Sequence, residues 1–165
     1  MNNDFEQKHT ISSYHLKQHE LVNFLYDRFT VGMMFTMVVA LVATILVTFE
    51  LSLQGLEYRG YIWFAGLSVI QYFRYRLKKR YDQVKTVDYL SHGYWKKRFI
   101  VGIYIVALWQ GLGAVIAMPM ISDNLQFIFH AFLLGLGAGA IAYLATSMVI
   151  FGSYLILMIL PVTVY

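Results

Sequence analysis

The chain has 165 residues, of which 59% are apolar and 13% charged, with a net charge of +4 and no cysteine. Soluble domains carry about 45–50% apolar and about 25% charged residues, so this composition excludes an ordinary soluble domain and predicts an integral membrane protein. The lack of cysteine excludes a disulfide framework, a thiolate nucleophile and a cysteine metal site, and no other cofactor is expected.

Residues 1–10 are polar. From Ser12 or Ser13 to Phe29 the spacing predicts a helix: Leu21, Leu25 and Phe29 recur every four residues with Val22 and Tyr26 beside them. It is too polar to span, so residues 1–29 read as a cytoplasmic N-terminus and an amphipathic helix lying in the inner interface. A short solvated helix packing on a further domain is the alternative. Thr30 to Phe49 supplies about 20 apolar or small residues, enough to cross a hydrocarbon layer of about 30 Å. A short external loop with Glu50, Glu57 and Arg59 near it leads to a second span, residues 61–77, whose Tyr61, Trp63, Tyr72 and Tyr75 suit interfacial belts.

The chain then turns strongly basic. Nine of the 13 Lys and Arg residues lie between Arg74 and Arg98. Arg74, Arg76, Lys78, Lys79, Arg80, Lys96, Lys97 and Arg98 are expected to hold the 78–98 loop on the cytoplasmic side, because Lys/Arg bias sets orientation in loops of this size. Anionic headgroups, not nucleic acid, are the partner implied by that charge. Three further spans are predicted at about 99–118, 125–144 and 148–165, the third and fourth joined by a tight turn after Pro119. The expected fold is all-α: a polytopic bundle of five spanning helices plus the interfacial helix, multi-pass in a cell membrane with the N-terminus inside.

Small residues mark the helices after the loop. Gly111, Gly113 and Ala117 on the third span, and Gly135 and Gly139 on the fourth, would let backbones approach closely in lipid. They predict packing of the third span on the fourth, with a homodimer interface as the alternative use. Among polar groups, Gln110 beside Trp109, His130 and Tyr143 are the candidates for lining a ligand pocket, since polar side chains at membrane depth usually face the bundle interior. The hairpin sets Gln110 below the level of His130, and the plainer reading is a hydrogen bond from each to a neighbouring helix. His15 and His19 share a helix face but make no metal site, which needs three or four ligands. No Gly-rich phosphate loop, catalytic carboxylate pair or zinc-protease signature occurs, so no enzyme active site is expected within these residues.

The order of features is familiar. Leu21-Val22-Asn23-Phe24-Leu25-Tyr26 is followed, after the basic loop, by Trp95-Lys96-Lys97-Arg98-Phe99, Leu108-Trp109-Gln110-Gly111-Leu112-Gly113-Ala114 and a segment from Gly137 to Ser147, with Leu160-Pro161 beyond. From about Leu21 onward this resembles the N-terminal multi-helix membrane region of bacterial signalling proteins, chiefly diguanylate cyclase/phosphodiesterase proteins and sensor histidine kinases. The resemblance implies six helices and a cytoplasmic output domain, hence a sensory input module answering a small-molecule or membrane-state signal, with a sixth span expected after Tyr165. It carries no ligand-binding residues onto this chain. A small transporter, channel or quinone-interacting subunit is the alternative, and a structural membrane partner without a ligand is a third.

Overall fold

The computed structural model describes the backbone of residues 2–85, 92–144 and 147–163, and the side chains of 16–85, 92–140, 144 and 147–163. The fold is all-α. Its helices are α1 (Asn2–Ser52), α2 (Tyr58–Val84), α3 (His92–Ala117), α4 (Asp123–Leu144) and α5 (Met148–Thr163), with a 3₁₀ turn at Met118–Met120. Among the described residues two of them, over Leu16–Ser52 and His92–Met120, are long and apolar enough to cross a membrane, and Met148–Thr163 is a shorter apolar helix.

The apolar surface runs inside out. On α1, Val31 (67% exposed), Val38 and Ile45 point away from the bundle. The buried side of the same stretch holds Thr36, Ala40, Ala43 and Thr44. Thr36 and Thr44 return their hydroxyl protons to the carbonyls of Gly32 and Ala40, so these polar groups can be buried without another partner. Small residues inside and large aliphatics outside are what lipid selects, because close backbone approach replaces the hydrophobic drive between helices.

The helices close a ring in the order α1, α2, α3, α5, α4, with α1 also touching α3 across it. The predicted packing of the third span on the fourth is not the arrangement found: α3 lies along α5, while α4 packs on α1 and α5. Close approach explains the partner. A Cβ on Gly111 would lie 2.7 Å from the Met158 carbonyl oxygen and 3.2 Å from that of Leu157. Pro161, inside α5, has no N–H to give Leu157, which leaves that carbonyl open to α3.

Two further boundaries differ from expectation. The predicted interfacial helix and first span form one continuous helix, α1, of 51 residues, about 77 Å at 1.5 Å per residue. Its lower stripe, expected on lipid, is covered by protein: Val22, Leu25, Tyr26 and Phe29 are buried. The segment predicted as a basic loop is helical at both ends, through Val84 in α2 and from His92 in α3, while Thr86 in its middle lies outside the described residues. These helix ends extend beside α1. Tyr26 stacks on Tyr81 at 4.0 Å between centroids and donates its hydroxyl proton to the Trp95 carbonyl at 3.2 Å. Tyr81 bonds the side-chain oxygen of Asn23, and Lys85 approaches Asp27 at 3.7 Å.

At the opposite end α1 stops in a Schellman turn. Leu56 N–H returns to the Leu51 carbonyl and Gly55 N–H to that of Ser52, with Gly55 at φ +68°, a conformation that favours glycine. Gln54 then donates to the Met120 carbonyl at 2.8 Å, and Glu50 accepts from the Ser122 N–H, which pins this turn to the one between α3 and α4.

Candidate functional site

The candidate site grows from the crossing of α2 and α3. Trp63 on α2 and Trp109 on α3 each carry a small residue further along the same helix, Gly66 and Gly113. A Cβ at Gly113 would overlap the Trp63 indole, and one at Gly66 would overlap Trp109. Each indole thus fills the hollow over the other helix's glycine. The polar edges are satisfied reciprocally as well: Trp63 Nε1 donates to the Trp109 carbonyl at 3.3 Å, and Trp109 Nε1 to the Trp63 carbonyl at 3.0 Å. Ala40, Leu67 and Val106 form a small buried cluster against this clasp.

Beside the clasp lies a pocket of about 340 Å³. Ala43 and Val47 of α1, Gly60 of α2, Trp109 and Gly113 of α3, and Phe129 of α4 are among its walls. The floor is apolar. At one end Arg59 donates to the Met120 sulfur at 2.9 Å and supplies a cation within reach of an occupant. Such a space suits an uncharged ring or alkyl chain, oriented at most by one polar end toward Arg59.

The residues expected to line a ligand pocket separate. Trp109 lines this one. Gln110, fully buried, turns to α5, where the Tyr154 hydroxyl donates to its Oε1 at 3.3 Å and its Nε2 has no hydrogen-bond partner among the described residues. His130 is exposed and its Nδ1 meets the Gln126 carbonyl one turn back, at 2.8 Å, while Gln110 turns to Tyr154, so Gln110 and His130 do not form a pair. The side chain of Tyr143 lies outside the described residues, as does that of His15. His19 Nε2 stands 3.1 Å from the Asn23 amide, and no group of three potential metal ligands occurs among the described residues.

The small residues also divide. Gly113 receives Trp63, Gly139 faces Phe35 of α1, Gly111 faces α5, and Ala117 lines the pocket. Gly135 has open space beyond it. A polar residue that sequence reading passed over is Gln71, buried, accepting from Arg74 at 3.0 Å and with Nε2 unpartnered among the described residues. Its place in a tyrosine- and arginine-rich helix end disguised it as a boundary residue.

Comparison of the chain with protein-family models, with curated proteins and with solved structures finds no match.

Proposed function

We propose that this chain is the membrane-embedded input module of a bacterial signal-transduction protein: a bundle of five spanning helices in the inner membrane whose basic end faces the cytoplasm. An apolar ligand, or lipid pressing on the same pocket, works against the Trp63–Trp109 clasp and shifts the equilibrium between two packings of α2 on α3. The observation that carries this reading is α1 itself, which walls the pocket with Ala43 and Val47 and continues without a break to Tyr26 at the basic end. A change at the pocket thereby reaches the helix ends built around Tyr81 and Trp95 through one rigid element. Delivery to a cytoplasmic cyclic-di-nucleotide enzyme or histidine kinase is proposed from the sequence resemblance alone.

The flat tryptophan walls also favour a second occupant, a quinone ring, which belongs to the quinone-interacting alternative. A transporter is less well supported, since the buried polar set among the described residues is thin: Thr36, Thr44, Thr48, Gln71 and Gln110.

The absence of native cysteine makes the test clean. Spin labels at Arg28→Cys on α1 and Gln83→Cys on α2 report the basic end, while a brominated fatty alcohol or ubiquinone is titrated into vesicles. The sensory reading expects saturable quenching of tryptophan emission together with a shifted distance distribution. Quenching without any shift contradicts the relay, and solute flux through the same vesicles turns the reading to transport.

A further inference from the structure

A second groove, of about 830 Å³, opens on the outer side of α2 and α3 at the basic end. Five cations line it: Arg74, Arg76 and Arg80 from α2, Lys97 and Arg98 from α3. No Asp or Glu lines it among the described residues. Among the described residues, Asp82 is engaged with Lys78, and both Asp82 and Asp27 with Lys85. Two of the guanidinium groups are held by ring contacts, Arg74 at 4.7 Å over Phe29 and Arg98 at 4.2 Å over Tyr94. Gly102 keeps the floor low, because the Arg74 stem lies 3.3–3.5 Å from where its Cβ would stand. Arg76, Arg80 and Lys97 are exposed in the groove.

Toward the middle of the bundle the same groove changes character. Its walls there are Ile70, Phe73, Val101 and Ile105, with Phe73 66% and Ile105 47% exposed. Cations at one end and bare apolar side chains at the other match a molecule with an anionic head and a hydrocarbon tail. We infer that this groove is a binding site for an anionic phospholipid, whose phosphodiester sits among Arg76, Arg80 and Lys97 and whose acyl chain lies along Phe73 and Ile105. Guanidinium groups suit the head, since they meet phosphate oxygens through paired donors. A free anion would use the cations but leave the apolar half of the groove uncovered, so the lipid is the occupant that fits the whole surface.

The inference rests on the membrane reading, and the test separates the two. Purified, delipidated full chain in dodecyl maltoside is offered dioleoyl phosphatidylglycerol, dioleoyl phosphatidylcholine or inorganic phosphate, and bound lipid is counted by native mass spectrometry. Phosphatidylglycerol is expected to be retained in preference to phosphatidylcholine and not to be displaced by millimolar phosphate. The triple variant Arg76→Gln, Arg80→Gln, Lys97→Gln should lose about tenfold or more of that retention, while Arg28→Gln, Lys79→Gln, Lys96→Gln, with the same charge change outside the groove, stays within about twofold. Equal loss in both variants reduces the effect to general attraction and overturns the site. Equal retention of the two lipids does the same, and displacement by phosphate makes it a soluble-anion site. Should the groove variant not fold, the two wild-type competitions decide alone. A chain that floats with vesicles yet keeps no phosphatidylglycerol overturns the site without touching the membrane reading.

Discussion

Trp63 and Trp109 each donate the indole proton to the other's backbone carbonyl, at 3.3 and 3.0 Å, across the crossing of α2 and α3. The exchange requires both rings to sit over glycine, so it constrains four positions at once. Gly113→Ala should displace the Trp63 ring and destabilise the bundle by about 1–3 kcal/mol, the usual cost of overpacking. Gly135→Ala, with nothing within 4 Å of its Cβ, should instead stabilise the helix by up to about 1 kcal/mol, because glycine is the weaker helix former. Reversible unfolding in mixed micelles compares the two, and equal effects would mean the clasp does not hold α2 on α3.

Half of that clasp was legible in the sequence. Trp109 stands out beside the buried Gln110, but Trp63 reads as one more aromatic at a helix end. The usable signal is relational: Trp63-x-x-Gly66 and Trp109-x-x-x-Gly113 each put a large ring and a bare backbone on one helix face. The helical bundle was legible because apolar length and basic flanks survive any error in packing. The continuity of α1 was not, because the change from polar to apolar near Thr30 marks a change of surroundings without a residue that breaks the backbone. The neighbours of α3 were not legible either, since glycine faces say that something approaches closely without saying which helix it is.

Gln110 and Tyr154 form a buried pair in which one amide nitrogen is unpartnered. Gln110→Leu loses the bond and the orphaned donor together, so it should change stability little. A double-mutant cycle with Tyr154→Phe should give a coupling of about 0.6 kcal/mol, the mean for polar pairs between membrane helices. His130→Leu should be silent in the same assay. A coupling of zero would leave the two residues as neighbours only.

Tyr81 lies beyond the predicted span, and burial raises its phenol to about 12, with the carboxylates of Asp27 and Asp82 adding to the effect. A raised acid favours the folded state in its neutral form. Its contribution is therefore full below the ordinary value of 10.0 and is lost as pH rises from there through about 12. Trp95, 5.5 Å away between ring centroids, reports this end. Its emission should change over that interval in wild type and much less in Tyr81→Phe. Matching profiles would mean another group governs the alkaline change.

Gly139 faces Phe35 at 2.6 Å from its would-be Cβ, whereas Gly135 opens outward. Leucine at Gly139 should therefore lower the monomer's stability, and leucine at Gly135 should instead alter self-association if a second copy uses that surface. Crosslinking in native membranes distinguishes them. Unchanged crosslinking in Gly135→Leu would remove this face as a dimer contact.

A membrane bundle with its basic end in the cytoplasm fixes which side of the bilayer each helix end must occupy, and single-cysteine accessibility measures that. Gln54 and Asn124 belong to the end pinned by Met120 and Ser122, while Gln83 lies at the end of α2 among the basic residues. In intact cells an impermeant maleimide should modify Gln54→Cys and Asn124→Cys, and should reach Gln83→Cys only after the membrane is opened. Labelling of all three in intact cells, or of Gln83→Cys alone, would mean that the basic end does not face the cytoplasm.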